Sequence, residues 1–382
     1  VSTPFRPVLF LLLGGLCLCR PAQASALPAP ASAAPQTFKA QSNRIPTVYE
    51  NATITEDVSW RGAVVIKGSL TVAAQATLRI EPGSEVRFMT ARGSRQLPHL
   101  VVMGRIQAVG SLDRPILFSS ITEGADRKGA WGGILLLSSE KRNVLEHCRI
   151  ENAETGLEGR FSTISLKSVA ITSSITGISL RDSTAVMTTS SVSGCETGIE
   201  AHDSEVELRD CAIAQNRRGA VFSGCAAVMS SVTVTGNSQQ GLLTEAGRLK
   251  MTSCEFSGNG VGAQIKGGEG QLFMCRFVRN NDTALQLASA RLKVNRCQIS
   301  DNLRDGLKLE DDRATLWGNS FSGNGGYNLV NAGTAAISAP LNWWGTADET
   351  MLKGKIFDLA RDGRAGAVNV FPWLLEKPAL LP

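Results

Sequence analysis

The chain has 382 residues and a formal net charge of +5. Lys and Arg are dispersed without a basic run, and the aromatic stacking motifs of RNA-binding modules are missing, so nucleic acid is excluded as a partner. Aromatic residues make up only 5%, Gly reaches 38, and the 43% of hydrophobic residues come as short, evenly spaced pairs instead of long amphipathic stretches. This composition suits a solenoid, in which each repeat adds a thin slice to one continuous core.

The first element in chain order is an export signal over residues 1–26. Arg6 supplies the positive start, Val8 to Leu18 is apolar, and Ala22-Gln23-Ala24 and Ala24-Ser25-Ala26 are small-x-small cleavage sites. The apolar run is too short to span a bilayer. Leu precedes both Cys17 and Cys19, where a lipoprotein signal places a small residue, so periplasmic or secreted protein is favoured over a lipid-anchored one. Residues 27–46 are rich in Pro, Ala, Ser and Gln and read as a flexible linker. No later apolar run approaches the roughly 20 residues of a membrane helix.

Residues 47–140 carry alternating pairs such as Leu70 and Val72, Leu78 and Ile80, and Val86 and Phe88, with a tight turn at Pro82-Gly83. They predict irregular coils of the same kind as those that follow, with longer excursions near Thr90–Pro98 and Thr122–Gly129. From 141 to 340 the pattern becomes regular. An aliphatic or Phe recurs at Ile150, Ile171, Val192, Ile213, Val234, Phe256, Phe277, Ile299 and Phe321, always 21 or 22 residues apart. Three residues after it stands Asn216, Asn237, Asn259, Asn280, Asn302 or Asn324, and two before it Cys254, Cys275 or Cys297. A Gly such as Gly177, Gly219 or Gly306 follows each Asn position, and two more short alternating strands complete the repeat.

Twenty-odd residues are too few for a strand-helix unit. They suit one coil of a single-stranded, right-handed parallel β-helix with three short strands, each paired with the same strand about 4.8 Å away in the next coil. The Asn row is expected to point inward and satisfy backbone groups at a bend. Stacked Cys residues lie farther apart than disulfide geometry allows, so a buried thiol ladder is expected. Residues 341–382, with Asn342-Trp343-Trp344-Gly345 and Phe371-Pro372-Trp373, are predicted to cap the end and shield its strand edges.

Several segments carry a family resemblance. Trp60-Arg61-Gly62, Leu78-Arg79-Ile80-Glu81-Pro82-Gly83, Trp131-Gly132-Gly133-Ile134 and the terminal Asn-Trp-Trp-Gly resemble those of bacterial right-handed parallel β-helix repeat proteins of the pectate-lyase-like superfamily. The resemblance covers roughly residues 50–375 and implies an all-β solenoid. It matches no specific enzyme family. The superfamily holds pectate lyases, polygalacturonases, uronan epimerases, periplasmic copper-maturation proteins and members without known activity.

The expected chemistry is sparse. Asp305, Glu310, Asp311 and Asp312 cluster, but one and two coils back from Glu310 stand Ala288 and Lys266, which could not share a calcium ion with it. His202-Asp203, with Asp182, Glu200 and Glu205, is a weak acid-base group that reads first as a surface turn. There is no Cys-x-x-Cys pair for zinc or haem. No cofactor is predicted, with Ca2+ implied only if the chain is a lyase. The better candidate is one outward strand face. Glu207, Val228, Lys250, Gln271 and Lys293 form one row, and Arg209, Ser230, Thr252, Phe273, Asn295 and Trp317 its neighbour. Lys250, Gln271, Phe273, Lys293, Asn295 and Trp317 would offer an acidic glycan cations and ring faces. The expectation is a non-catalytic exported protein binding polysaccharide or another cell-envelope component; the alternative is a lyase or epimerase with an atypical site.

Overall fold

The computed structural model describes residues 46–90, 96–121, 127–139, 141–310 and 313–378. The export signal and nearly all of the linker lie outside them, as do Asp311 and Asp312. The described residues form a right-handed parallel β-helix. Every inter-strand pairing among them is parallel, as in Ile171 against Val192 and Val192 against Ile213. One face of the coils is a 12-stranded sheet, and the other two are hydrogen-bonded into a 25-stranded sheet.

Each regular coil repeats three strands. Glu205–Arg209 lies in the 12-stranded sheet, and Ala212–Ala214 and Arg218–Ser223 in the larger one. Strict alternation sends Val206 and Leu208 inward and leaves Glu205, Glu207 and Arg209 outside. The inward rows stack like on like, as in Phe256 over Phe277 with ring centroids 4.9 Å apart. Such contacts are strong because every inward residue has similar neighbours above and below.

The three corners each carry a polar ladder. At the first, Asn216 through Asn324 are buried. Asn259 is typical: its Nδ2 donates to the Val234 carbonyl at 2.9 Å and to Asn280 Oδ1 at 3.1 Å. Its Oδ1 accepts from the Asn237 backbone N–H at 3.1 Å. The ladder thus supplies partners to backbone groups that the bend removes from the sheets. At the second corner, Cys254, Cys275 and Cys297 take the same structural position as Asn319 and Asn342. Cys254 Sγ donates to the Met229 and Thr252 carbonyls, and Asn319 Nδ2 donates to the Val294 carbonyl at 2.8 Å. All seven cysteines among the described residues are free and buried, and burial pushes the Cys148 thiol up to about 12. The third corner has a Ser ladder, in which Ser162 N–H donates to Ser183 Oγ and Ser183 N–H to Ser204 Oγ, both at 3.1 Å.

The Gly row beside the Asn ladder is set by close approach between coils. A Cβ on Gly219 would lie 2.2 Å from the Gly241 carbonyl oxygen. Left-handed backbone falls elsewhere, on turn residues such as Ser168, Asp182, Asp203 and Asp210.

The early coils share this plan with longer connections. Ala63–Val72 runs through a corner as one strand, pairing with both Glu85–Met89 and His99–Val102. Phe88 and Trp131 stack in that core at 4.0 Å. At the far end Trp344 is buried and stacks on Phe321 at 4.7 Å, closing the core. Phe371 departs from the expected inward packing. It is 70% exposed, while Trp373 is the partner that packs on the core.

Candidate functional site

The 12-stranded sheet presents three outward rows, because alternation turns every second residue of each strand to solvent. The middle row places Lys250 beside Gln271 and Gln271 beside Lys293 in direct register. The row on one side is Thr252, Phe273, Asn295 and Trp317. The row on the other side is Arg248, Glu269 and Arg291, and Arg313 continues it, with its backbone N–H bonded to the Ala290 carbonyl.

These rows do not form one site. Lys250, Gln271 and Lys293 line a groove of about 700 Å³ with Arg248, Glu269, Arg291 and Arg313. Phe273, Asn295 and Trp317 stand outside it, two residues farther along their strands. The Arg296 guanidinium lies over the Phe273 ring, 5.9 Å from its centroid, so that face is taken by a cation of the chain itself. Asn295 is only 5% exposed despite its outward position, and its Oδ1 is buried without a partner. It sits between two larger neighbours in the row, Phe273 and Trp317. Trp317 is 41% exposed and lines a second depression with Ile337, Pro340 and Leu341 at the cap, which meets the groove at Arg313 and Thr315. The expected single strip of cations and rings is therefore two features.

One inward position of the groove lacks a side chain. Position 270 points inward in register with Leu249 and Leu292, yet it is Gly. The two backbones approach closely there: a Cβ would lie 1.8 Å from the Leu249 carbonyl oxygen. Leu249, Gly270 and Leu292 form the floor, and the flanking Arg and Lys side chains the walls.

The charge of the groove is strongly one-sided. Arg248, Lys250, Arg291, Lys293 and Arg313 contribute five cations and Glu269 one carboxylate. Among the described residues, none of these six has an opposite charge within 4.0 Å. Some outward charges on the larger sheet are paired, as in Lys266 with Glu245 at 3.2 Å and Arg276 with Glu255 at 3.0 Å. Arg248, Glu269, Arg291 and Arg313 were legible as members of the repeat, two positions before the Lys row. The rings of Phe273 and Trp317 made the neighbouring row the stronger local signal.

Among the described residues, the other acidic groups singled out in the sequence do not line the groove. His202 Nε2 lies 3.2 Å from Glu200 Oε1 on the larger sheet. Asp182 and Asp203 are left-handed turn residues, and Glu205 is on the opposite sheet. Lys308 pairs with Glu310 at 2.5 Å. No group of three or more His, Cys, Asp or Glu that could hold a metal occurs among the described residues. No helix among them is long and apolar enough to cross a membrane.

Comparison with known proteins agrees with this architecture. No curated protein matches the chain. Among solved structures, the periplasmic alginate epimerase AlgG is 10% identical, with 82% of this chain and 74% of that one covered and a TM-score of 0.37. A mannuronan C-5 epimerase A-module from Azotobacter vinelandii is 12% identical, with 87% and 91% covered and a TM-score of 0.31. A tailspike protein of Acinetobacter baumannii bacteriophage Fri1, a capsular polysaccharide depolymerase, is 11% identical, with 80% and 57% covered and a TM-score of 0.33. A pectate-lyase like beta helix domain model matches residues 52–162. The right handed beta helix region model matches residues 119–248 and 219–340. That second model alone covers more than half of the length, and the chain belongs to the right-handed β-helix region family.

Proposed function

We propose that this is an exported protein that binds an acidic polysaccharide, or another anionic component of the cell envelope, lengthwise in the groove of the 12-stranded sheet, without turning it over. The observation that carries the reading is the set of cations at Arg248, Lys250, Arg291, Lys293 and Arg313, converging on a groove with no ion-pair partner among the described residues. Like charges held on neighbouring coils repel one another, and a polyanion laid along them removes that cost while gaining attraction at each contact. A merely solvated face would gain nothing from lining both sides of a trough with cations. The apolar run Val8 to Leu18 supports export.

The test compares the full chain with its Lys250→Ala/Lys293→Ala variant. Affinity for acidic and neutral oligosaccharides is measured by calorimetry at low and moderate salt. Each exposed contact is worth up to about 1 kcal/mol, so the double variant should lose roughly tenfold or more for acidic ligands. Binding of the wild type should also weaken with salt. Equal affinity for neutral glycans, or no change in the variant, would overturn the reading. Calcium-dependent release of an unsaturated uronate product would replace it with a lyase.

A further inference from the structure

Over three successive coils the charge of the groove alternates, and Arg313, on the coil after Arg291, adds a single cation outside that alternation. Arg248 and Lys250 stand on one strand, and Arg291 and Lys293 on the strand two coils later. The strand between them carries Glu269 and Gln271 at the same two register positions. The two pairs of cations therefore stand two coils apart, roughly 10 Å for strands spaced about 4.8 Å. One coil is close to the length of one sugar ring in an extended polysaccharide. A chain lying along the solenoid axis would set one sugar over each coil.

We propose that the ligand of this groove is a linear polysaccharide in which acidic and neutral sugars alternate, with a neutral sugar over Glu269 and Gln271. The proposal rests on the groove reading given above and narrows it. Acidic sugars fall over Arg248 with Lys250 and over Arg291 with Lys293. The sugar between them meets a carboxylate that accepts hydroxyl hydrogen bonds and an amide that both donates and accepts. Glu269 is available for this role. Although it lies in register between Arg248 and Arg291, neither guanidinium comes within 4.0 Å of it among the described residues. A chain with an acid on every sugar would press a carboxylate against Glu269. Glu269 is thus the specificity-determining residue of the groove.

The ends of the groove fit the same ligand. Beyond the neutral Ala226 and Val228, the next coil carries Glu205, which a polyanion avoids, and Glu207, whose charge is already held by Arg209. At the other end, Arg313 and Thr315 are the last outward pair before the cap. Five coils lie between these limits, room for about five sugars at one per coil.

The experiment measures binding of the full chain to size-matched oligosaccharides of three kinds: hyaluronan as the alternating chain, oligogalacturonate as the homopolymer, and a neutral cello-oligosaccharide. Two like charges about 5 Å apart near a protein surface repel enough to weaken binding several-fold to a hundredfold, so hyaluronan should bind about tenfold more tightly than oligogalacturonate despite its lower charge. Glu269→Gln removes the repulsion and should bring the two within about threefold by strengthening oligogalacturonate. Oligogalacturonate binding the wild type as tightly as hyaluronan, or an unchanged ratio in Glu269→Gln, would overturn the alternation. If neither acidic oligosaccharide binds more tightly than the neutral one, the groove reading itself fails, and the alternation with it.

Discussion

Replacing Asn259 by Ala tests whether the Asn ladder holds the coils together. Its side chain makes four hydrogen bonds: from Nδ2 to the Val234 carbonyl and Asn280 Oδ1, and to Oδ1 from the Asn237 backbone N–H and Asn237 Nδ2. The residue is fully buried, so water cannot replace these partners. The substitution would orphan the Asn237 N–H and take a donor from the Val234 carbonyl. An orphaned buried group costs about 1–3 kcal/mol, and the remaining bonds contribute about 1 kcal/mol each, so the loss should be about 4 kcal/mol. Urea unfolding followed by circular dichroism reads this from the midpoint at constant slope. A reduced slope would instead show that the break uncouples the coils on either side. The control is Gln264→Ala, whose amide reaches Gln286 at 3.1 Å on the half-exposed outer face and should cost less than about 0.5 kcal/mol. If both variants lose less than about 1 kcal/mol, the ladder is not a structural requirement and the argument from orphaned groups is wrong.

Phe277→Ala empties a core layer between Phe256 and Ile299 and should cost about 3–5 kcal/mol by the same assay; a loss under about 1 kcal/mol would mean that the neighbouring coils collapse into the space. The seven described cysteines should be silent to a thiol reagent in the folded protein and react only after denaturation, whereas rapid labelling of the native chain would contradict their burial. Because burial raises the folded Cys148 thiol from its ordinary value near 9 to about 12, the unfolded chain loses that proton first. Its contribution is complete below pH 9 and is lost as pH rises towards 12, so unfolding free energy should fall across that window and fall less in Cys148→Ala. Gly270→Ala should force the strand away from the Leu249 carbonyl, with a drop in stability of at least about 1 kcal/mol; unchanged urea midpoints would show that the two coils move apart there at no cost.

Much of this protein is written in its period. A 21- or 22-residue repeat with inward residues at every second position can close only as one coil on the next, so Ile213, Val234 and Phe256 share a row by counting alone. The same counting puts Lys250, Gln271 and Lys293 in register, and it was equally able to put Arg248, Glu269 and Arg291 there. Local pattern carries row membership because a parallel solenoid repeats one backbone geometry. It does not carry depth. Asn295 and Lys293 are both outward by alternation, yet Asn295 is buried because larger residues stand on both sides of it in the row. The groove is of the same kind: which side chains line it around Gly270 depends on how neighbouring coils pack. The sequence by itself determined the coil, its core rows and the positions of its polar corners, since those depend on period and residue type. The tertiary structure decided which outward residues face a common space and which cations lack partners, because those depend on volumes and distances between coils that no single repeat contains.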